Sequence, residues 1–369
     1  MKNKLTILIV ACLTFQACGI TESSVEESQN LQQDVSKTQL EAVVVEDDGA
    51  YDFTLCFAGD INFDENWATT QYMEACENGI VDCISPELIN VMQQADIMWI
   101  NNEFTYSDRG QPLPGKAYTF RANPDRVENL KLLGVDIVGL ANNHVYDYGK
   151  EALLDTMDCL DKAEIPYVGA GHNLKEASEP VYMEIQGKTV AFVAASRAEK
   201  NKMTPQATDT EPGILRCYDT SLFDEEIKEA DANADIVVAL PHWGTEYSTE
   251  LEPVQPQTAH EYIDAGADAI IGAHTHCLQG FEYYNDVPIV YSLGNYWFNE
   301  KTLDTMLVTL HCYGNDTEDN MDVIITPALQ TNCTTVYVDD KEKQRELYDR
   351  LESISTNVEI DDNGILRIR

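Results

Sequence analysis

From Tyr51 onward the chain alternates between two hydrophobic rhythms. Short apolar runs (Phe53–Ala58, Ile97–Ile100, Val135–Leu140, Val190–Ala195, Ile236–Leu240, Ala269–Gly272 and Ile289–Ser292) are rich in Val and Ile and bounded by Gly, Asp or Asn. Runs of this length without polar alternation predict strands buried on both faces. Between them lie segments with helical spacing. Ser85-Pro86 opens one, with Pro at the first helical position and Leu88, Val91 and Met92 as its apolar stripe. Pro124 to Leu133 is a second, stopped by Gly134, and Gly149 to Ala163 a third, with Leu153, Leu154, Met157 and Leu160 on its inner face. Ser221–Ala232, Pro256–Ala265 and the charged amphipathic stretch Lys341–Leu351 follow. Strand and helix alternate repeatedly, which predicts an α/β fold with a largely parallel sheet. Leu303–Cys312 and Val323–Thr326 read as a final meander that would complete a second sheet.

The polar residues that end these runs are of a particular kind. Gly59-Asp60, Asn102-Glu103, Asn142-Asn143-His144, His242-Trp243-Gly244, His274-Thr275-His276 and Ser292-Leu293-Gly294-Asn295 occur in that order, with Arg121 between the second and third. Carboxylates, an Asn-His pair and three further histidines are donor types that adjacent divalent ions use in hydrolytic sites. A single Gly-Asp or a lone histidine is ordinarily a turn or core residue. This set extends from Asp60 to Asn295, so only a sheet could gather it. In open α/β sheets ligands collect at the carboxyl ends of strands. In an extended segment, the His274-Thr275-His276 spacing would put both imidazoles on one side. His172 in a Gly-rich loop, His260 on a helix and His311 beyond the last of these motifs are expected to be structural.

Charge narrows the functions. Lys+Arg number 24 against 64 Asp+Glu, a net charge of -40. No basic excess exists to neutralise phosphates, which excludes non-specific nucleic-acid binding. A polyanionic substrate would have to be received by a local positive centre, and bound divalent ions would supply one.

Residues 1–18 read as a targeting segment outside the fold. Lys2 and Lys4 precede an apolar stretch, Leu5 to Phe15, too short to span a bilayer as a helix. Ala17-Cys18-Gly19 then resembles a bacterial lipobox with Cys18 as the lipidated residue. Ile9-Val10-Ala11-Cys12 offers Cys12 as the alternative, and a plain secretory signal is a third reading. Residues 19–50 are Ser/Gln/Glu-rich and read as a disordered acidic tether, leaving 51–369 as one large domain. The chain is therefore expected outside the cytoplasm, lipid-anchored to the bacterial cell membrane. Export permits disulfides, with Cys76–Cys83 and Cys312–Cys333 as the plausible neighbours, whereas Cys56 in an apolar run reads as a small buried hydrophobe.

Phe57-Ala58-Gly59-Asp60, Asn102-Glu103, Leu140-Ala141-Asn142-Asn143-His144, Asp147-Tyr148-Gly149, His242-Trp243-Gly244, Glu246-Tyr247, His274-Thr275-His276 and Tyr291-Ser292-Leu293-Gly294-Asn295 together resemble the CapA proteins of bacterial poly-gamma-glutamate capsule synthesis. Their domain is related to the calcineurin-like metallophosphoesterases, and the resemblance runs from about Asp52 to Met306. It implies a four-layer α/β/β/α metallophosphoesterase-like sandwich with two divalent metal ions, Mn, Fe, Zn or Mg. Position by position, Asp60, Glu103, Asn143, His242, His274 and His276 are the implied metal ligands, with Glu103 where related phosphoesterases place a bridging carboxylate. His144 is the implied general acid. Asp147 either orients it or caps a turn. Asn62 stands where many metallophosphoesterases have a ligand histidine, and is grouped with Arg121 and Tyr247 as a substrate contact. Lys116 is a further candidate for gripping a phosphate or carboxylate.

The resemblance implies a role in making, exporting or anchoring poly-gamma-glutamate or a similar capsule polymer. The partners would be the membrane, polymer-synthase membrane subunits and an anionic polymer or phosphate-ester substrate. A secreted phosphodiesterase or phosphatase unrelated to capsule would use the same ligand set. Asn62 in a ligand position keeps open a non-catalytic scaffold of a synthase complex.

Overall fold

The computed structural model describes residues 49–369; the expected leader, Cys18 and nearly all of the tether lie outside the described residues. In the strand Tyr51–Ile61, Leu55 and Phe57 enter one hydrophobic core while Cys56 and Ala58 enter another. In the strand Ile236–His242, Val238 and Leu240 join that same first core, and Val237 and Ala239 join a third. Side chains alternate across a strand, so both strands are buried on both sides and share the core between them.

That shared core lies between two sheets, one of eight strands and one of six. The parallel part of the first sheet runs Tyr51–Ile61, Ile97–Asn102, Ile137–Gly139 and Tyr167–Val168. The parallel part of the second runs Lys188–Ser196, Ile236–His242, Ala269–Ile271 and Val287–Val290. Helices close the outer faces. Leu88 and Met92 of Pro86–Gln94, with Leu153, Met157 and Leu160 of Lys150–Ala163, pack on the first sheet. Phe223 and Ile227 of Ser221–Asp231, with Ala259 and Tyr262 of Val254–Asp264, pack on the second. Leu347, Tyr348 and Leu351 of the helix Lys341–Ser353 join the core between the sheets. The result is the expected α/β/β/α sandwich. Each fully buried Leu or Phe in these layers contributes roughly 1.5–3 kcal/mol.

Several expectations need correction. The C-terminal meander is a long hairpin, Leu303–Asn315 with Glu318–Thr331, and it extends the first sheet beside Tyr51–Ile61 rather than completing the second. The second sheet takes its edges from Val181–Ile185 and Phe281–Tyr284, whose interleaved polar residues hid them among loops. Pro124–Leu133 is a 3₁₀ turn, Pro124–Val127, running into a short helix, Glu128–Leu132. The hairpin also separates Cys312 from Cys333. Cys312 sits opposite Met321 and Cys333 lies beyond Thr331, a span of about 30 Å along an extended strand. Cys76 does adjoin Cys83, whose thiol is pushed up by burial and by that neighbour. All eight described cysteines are unlinked.

Candidate metal centre

The donors converge where the parallel strands of both sheets end. Asp60 is at the end of Tyr51–Ile61, Glu103 follows Ile97–Asn102, and Asn143 and His144 lie in the loop after Ile137–Gly139. From the second sheet, His242 closes Ile236–His242, and His274 and His276 follow Ala269–Ile271. All seven are buried. Ligand atoms of Glu103, His242 and His274 lie within 4.8 Å of one another, and so do those of Asp60, Glu103 and His276. Glu103 thus belongs to both trios. Asn143 joins the first, its Oδ1 lying 2.7 Å from His242 Nε2.

Whether these residues fit a metal can be judged from what they lack. Glu103 Oε1 is buried with no hydrogen-bond partner, 3.7 Å from His242 Nε2 and 3.9 Å from the Nε2 atoms of His144 and His276. His274 Nδ1 is also buried and unpartnered. Each orphaned group costs about 1–3 kcal/mol. A cation between them would remove that cost, and hard oxygens with imidazole nitrogens suit divalent ions. The donor set fits.

Backbone strain aims the histidines. His274 has φ 100° and His276 φ 56°, a region that non-glycine residues adopt only when their surroundings impose it. The segment is therefore a turn rather than the extended stretch the spacing suggested, and it sends His274 to one trio and His276 to the other. Gly59 and Gly294 permit the close approach beneath. Asp60 N donates to Gly294 O at 2.9 Å, and a Cβ on Gly59 would lie 1.9 Å from that oxygen.

The electrostatics divide the two carboxylates. Burial opposes ionisation of Asp60, but hydrogen bonds from His276 and Asn101 outweigh it and hold this carboxyl below its usual range. Burial, then the Asp60 charge, drives Glu103 well above its range. Burial and neighbouring imidazoles push His242 far down and His274 to about 3, so both offer free lone pairs at neutral pH. Burial also acts to lower His276, but Asp60 overcomes it and raises its pKa. His276 Nδ1 faces two acceptors, Asp60 Oδ2 at 2.9 Å and Asn295 Oδ1 at 2.8 Å, so it carries the proton and leaves Nε2 towards Glu103.

Asp147 does orient His144. Its Oδ2 accepts from His144 Nδ1 at 2.7 Å and from Phe120 N at 2.7 Å, and Oδ1 accepts from Lys116 Nζ. Lys116 therefore points inward, to Asp147 and the Asn143 carbonyl, instead of outward to a substrate. Burial lowers His144 despite Asp147.

The other predicted contacts stand further off. Arg121 lies over the Tyr148 ring at 4.2 Å and donates to Arg109 O, with no contact to the donors above. Asn62 is buried and uses Oδ1 to accept from Asp64 N, its Nδ2 unpartnered. Tyr247 is on the rim, its ring 5.6 Å from His276 and under Lys301 Nζ at 3.9 Å. His172, His260 and His311 pair with Glu176, Glu282 and Asp52, as expected of structural histidines.

Sequence reasoning missed Asn101, which donates to Asp60 Oδ1 at 2.7 Å and Glu103 Oε2 at 3.3 Å. Strand alternation could have found it, because Ile97 and Trp99 face the inter-sheet core and Asn101 continues that face. It also missed Thr204, whose Oγ1 donates to Asn143 O at 2.9 Å from a loop with no motif.

Two stacked sheets with carboxylates, an amide and histidines gathered at their strand ends make an α/β/β/α sandwich with a candidate metal centre at one edge. Residues 54–300 match the family described as bacterial capsule synthesis protein PGA_cap, and the chain belongs to that family. Capsule biosynthesis protein CapA of Bacillus anthracis is 38% identical over 202 residues, covering 53% of this chain and 49% of the relative. PGA biosynthesis protein CapA of Bacillus subtilis (strain 168) is 36% identical over 206 residues, covering 55% and 53%. The chain thus spans about half the length of the curated relatives it matches. Among solved structures, the NAD nucleotidase NadN of Haemophilus influenzae overlays 85% of this chain and 58% of its own at a TM-score of 0.40 and 12% identity.

Proposed function

We propose that this protein acts outside the cytoplasm in the biosynthesis, export or anchoring of a poly-gamma-glutamate-type capsule polymer, through a hydrolase-type site that holds two divalent ions. The observation that carries the reading is Glu103, one carboxylate shared by two trios, with a buried oxygen lacking any donor. Asp60, Glu103, Asn143, His242, His274 and His276 would hold the ions. When bound, such ions polarise a phosphoryl or acyl oxygen as Lewis acids. His144, its Nδ1 donating to Asp147, presents the Nε2 lone pair on the Glu103 side, where it can accept a proton, and the imidazolium so formed can give one to a leaving oxygen. Lipidation at Cys18 and contact with polymer-synthase membrane subunits complete the proposal, on sequence grounds. Among the described residues no helix is long and apolar enough to cross a membrane.

Elemental analysis of protein purified without chelator, beside a His274→Ala, His276→Ala variant, tests it. About two transition-metal ions per chain, lost in the variant, are expected, together with hydrolysis of a model ester or the polymer. Metal-free protein that still co-purifies with synthase subunits would instead establish a scaffold. A Cys18→Ser variant should leave the membrane fraction.

A further inference from the structure

Three of the eight described cysteines gather at the edge of the first sheet, where Thr334–Tyr337 is the outer strand. Cys76 ends the helix Ala68–Ala75 and Cys83 ends the 3₁₀ turn Gly79–Asp82. Cys83 is buried, within hydrogen-bonding reach of Cys76 and close enough to Cys333 to interact with it. Tyr72 interacts with all three. The backbone holds Cys333 in place. Thr335 N donates to Cys83 O at 2.8 Å, Ser85 N to Thr335 O at 2.9 Å, and Trp297 Nε1 to Cys333 O at 2.8 Å. By contrast, Cys56, Cys217 and Cys312 are fully buried, each in a different hydrophobic core.

Cys333 holds its place at a conformational cost. Thr331 pairs with Thr334 across a two-residue turn, with Asn332 at φ 48° and Cys333 at φ 65°. Two central residues of positive φ make a primed hairpin turn, whose second position glycine fills most readily. A side chain there is strained and persists only where its surroundings impose it. The side chain in that strained position is a thiol beside two others.

We propose that Cys76, Cys83 and Cys333 form a thiol–disulfide exchange site, with Cys83 as the partner the other two share. The oxidant is a small disulfide, a class that the extracytoplasmic location proposed above supplies. Cys76 is half-buried and meets it first. The Cys76 thiolate attacks one sulfur of the small disulfide, a mixed disulfide forms and one small thiol leaves. Cys83 then loses its proton to solvent and attacks Cys76 Sγ, closing Cys76–Cys83 and releasing the second small thiol. Two electrons have passed from the protein thiols to the small disulfide. Cys333 can next attack Cys83 Sγ with Cys76 leaving as thiolate, a transfer that needs no oxidant. Burial, then the neighbouring Cys76, holds Cys83 protonated, which makes its attack the slow step. The two bonds constrain different lengths of chain. Cys76–Cys83 closes one short turn, whereas Cys83–Cys333 ties that turn to the C-terminal hairpin, and the longer loop stabilises more.

The test equilibrates the full chain with oxidised glutathione, alkylates the thiols left free and maps tryptic peptides. No Lys or Arg lies between Cys76 and Cys83, so their bond stays within one peptide, while Cys83–Cys333 joins two. The wild type should lose two alkylatable thiols, that of Cys83 and that of either Cys76 or Cys333, with Cys56, Cys217 and Cys312 unlinked. Cys333→Ser should retain the Cys76–Cys83 bond. Cys76→Ser should send Cys83 to Cys333 and, once oxidised, unfold at a higher urea midpoint than when reduced. A wild type whose thiols all stay free, or that stops with glutathione on Cys76, would overturn the site. A Cys76→Ser variant that leaves Cys83 free would overturn Cys83 as a shared partner. These outcomes do not depend on the compartment, which the membrane fractionation of Cys18→Ser tests separately.

Discussion

Lys116 and Asp147 form an ion pair sealed from solvent, their side chains 4% and 0% exposed. Asp147 accepts from His144 with its other oxygen, so the pair supports the imidazole that faces Glu103. Removing one partner of such a pair leaves an uncompensated buried charge.

Lys116→Met should therefore destabilise the protein by about 3 kcal/mol, read as a shift in the urea midpoint with unchanged slope. A stability within error of the wild type would show that Phe120 N and His144 alone satisfy Asp147.

Glu103→Gln should separate stability from function. Burial and the Asp60 charge drive this carboxyl well above its usual range, so the metal-free fold carries the cost of burying it. The neutral isostere should raise the melting temperature of the metal-free protein and abolish metal uptake. A variant that melts lower without metal would contradict the burial argument.

Gly59→Ala should disrupt the centre without altering any ligand. Its Cβ would lie 1.9 Å from Gly294 O, a backbone atom that cannot swing away. The segment leading to Asn295 must shift from Asp60, and with it Asn295 Oδ1 from His276. The expected outcome is a loss of at least about 2 kcal/mol with lower metal content. Normal metal content would show that the strand pair can spread freely.

Asp268 gives the pH dependence a sign. Burial raises its pKa to about 6, partly offset by the Val237 N–H. The folded state then holds a proton that the unfolded chain has released, so stability should fall as pH rises from about 4 to about 6, by up to about 3 kcal/mol. Asp268→Asn keeps an acceptor for Val237 N. It should flatten that segment of the stability profile and leave the variant more stable at pH 7. An unchanged profile would show that Asp268 ionises freely in the fold.

Strand ends, donor types and the alternation of strands with helices were legible in the sequence, because burial on two faces leaves uninterrupted Val/Ile runs and a metal site demands particular atoms. The donor types could be chosen on that basis, whereas Asp60, Glu103, Asn143, His242, His274 and His276 were singled out as ligands by the family resemblance. The inward turn of Lys116, the choice of Asp60 as the partner of Asn101, the bond from Thr204 to the Asn143 carbonyl and the sheet that claims the C-terminal hairpin could not be read. Each depends on which of two sheets a segment packs against and where its side chain then points. Local spacing determined which polar residues end the buried runs. Only the stacking of the two sheets decided that Glu103 is the residue both trios share, because that position is a distance across the inter-sheet space, and no periodicity along the chain encodes it.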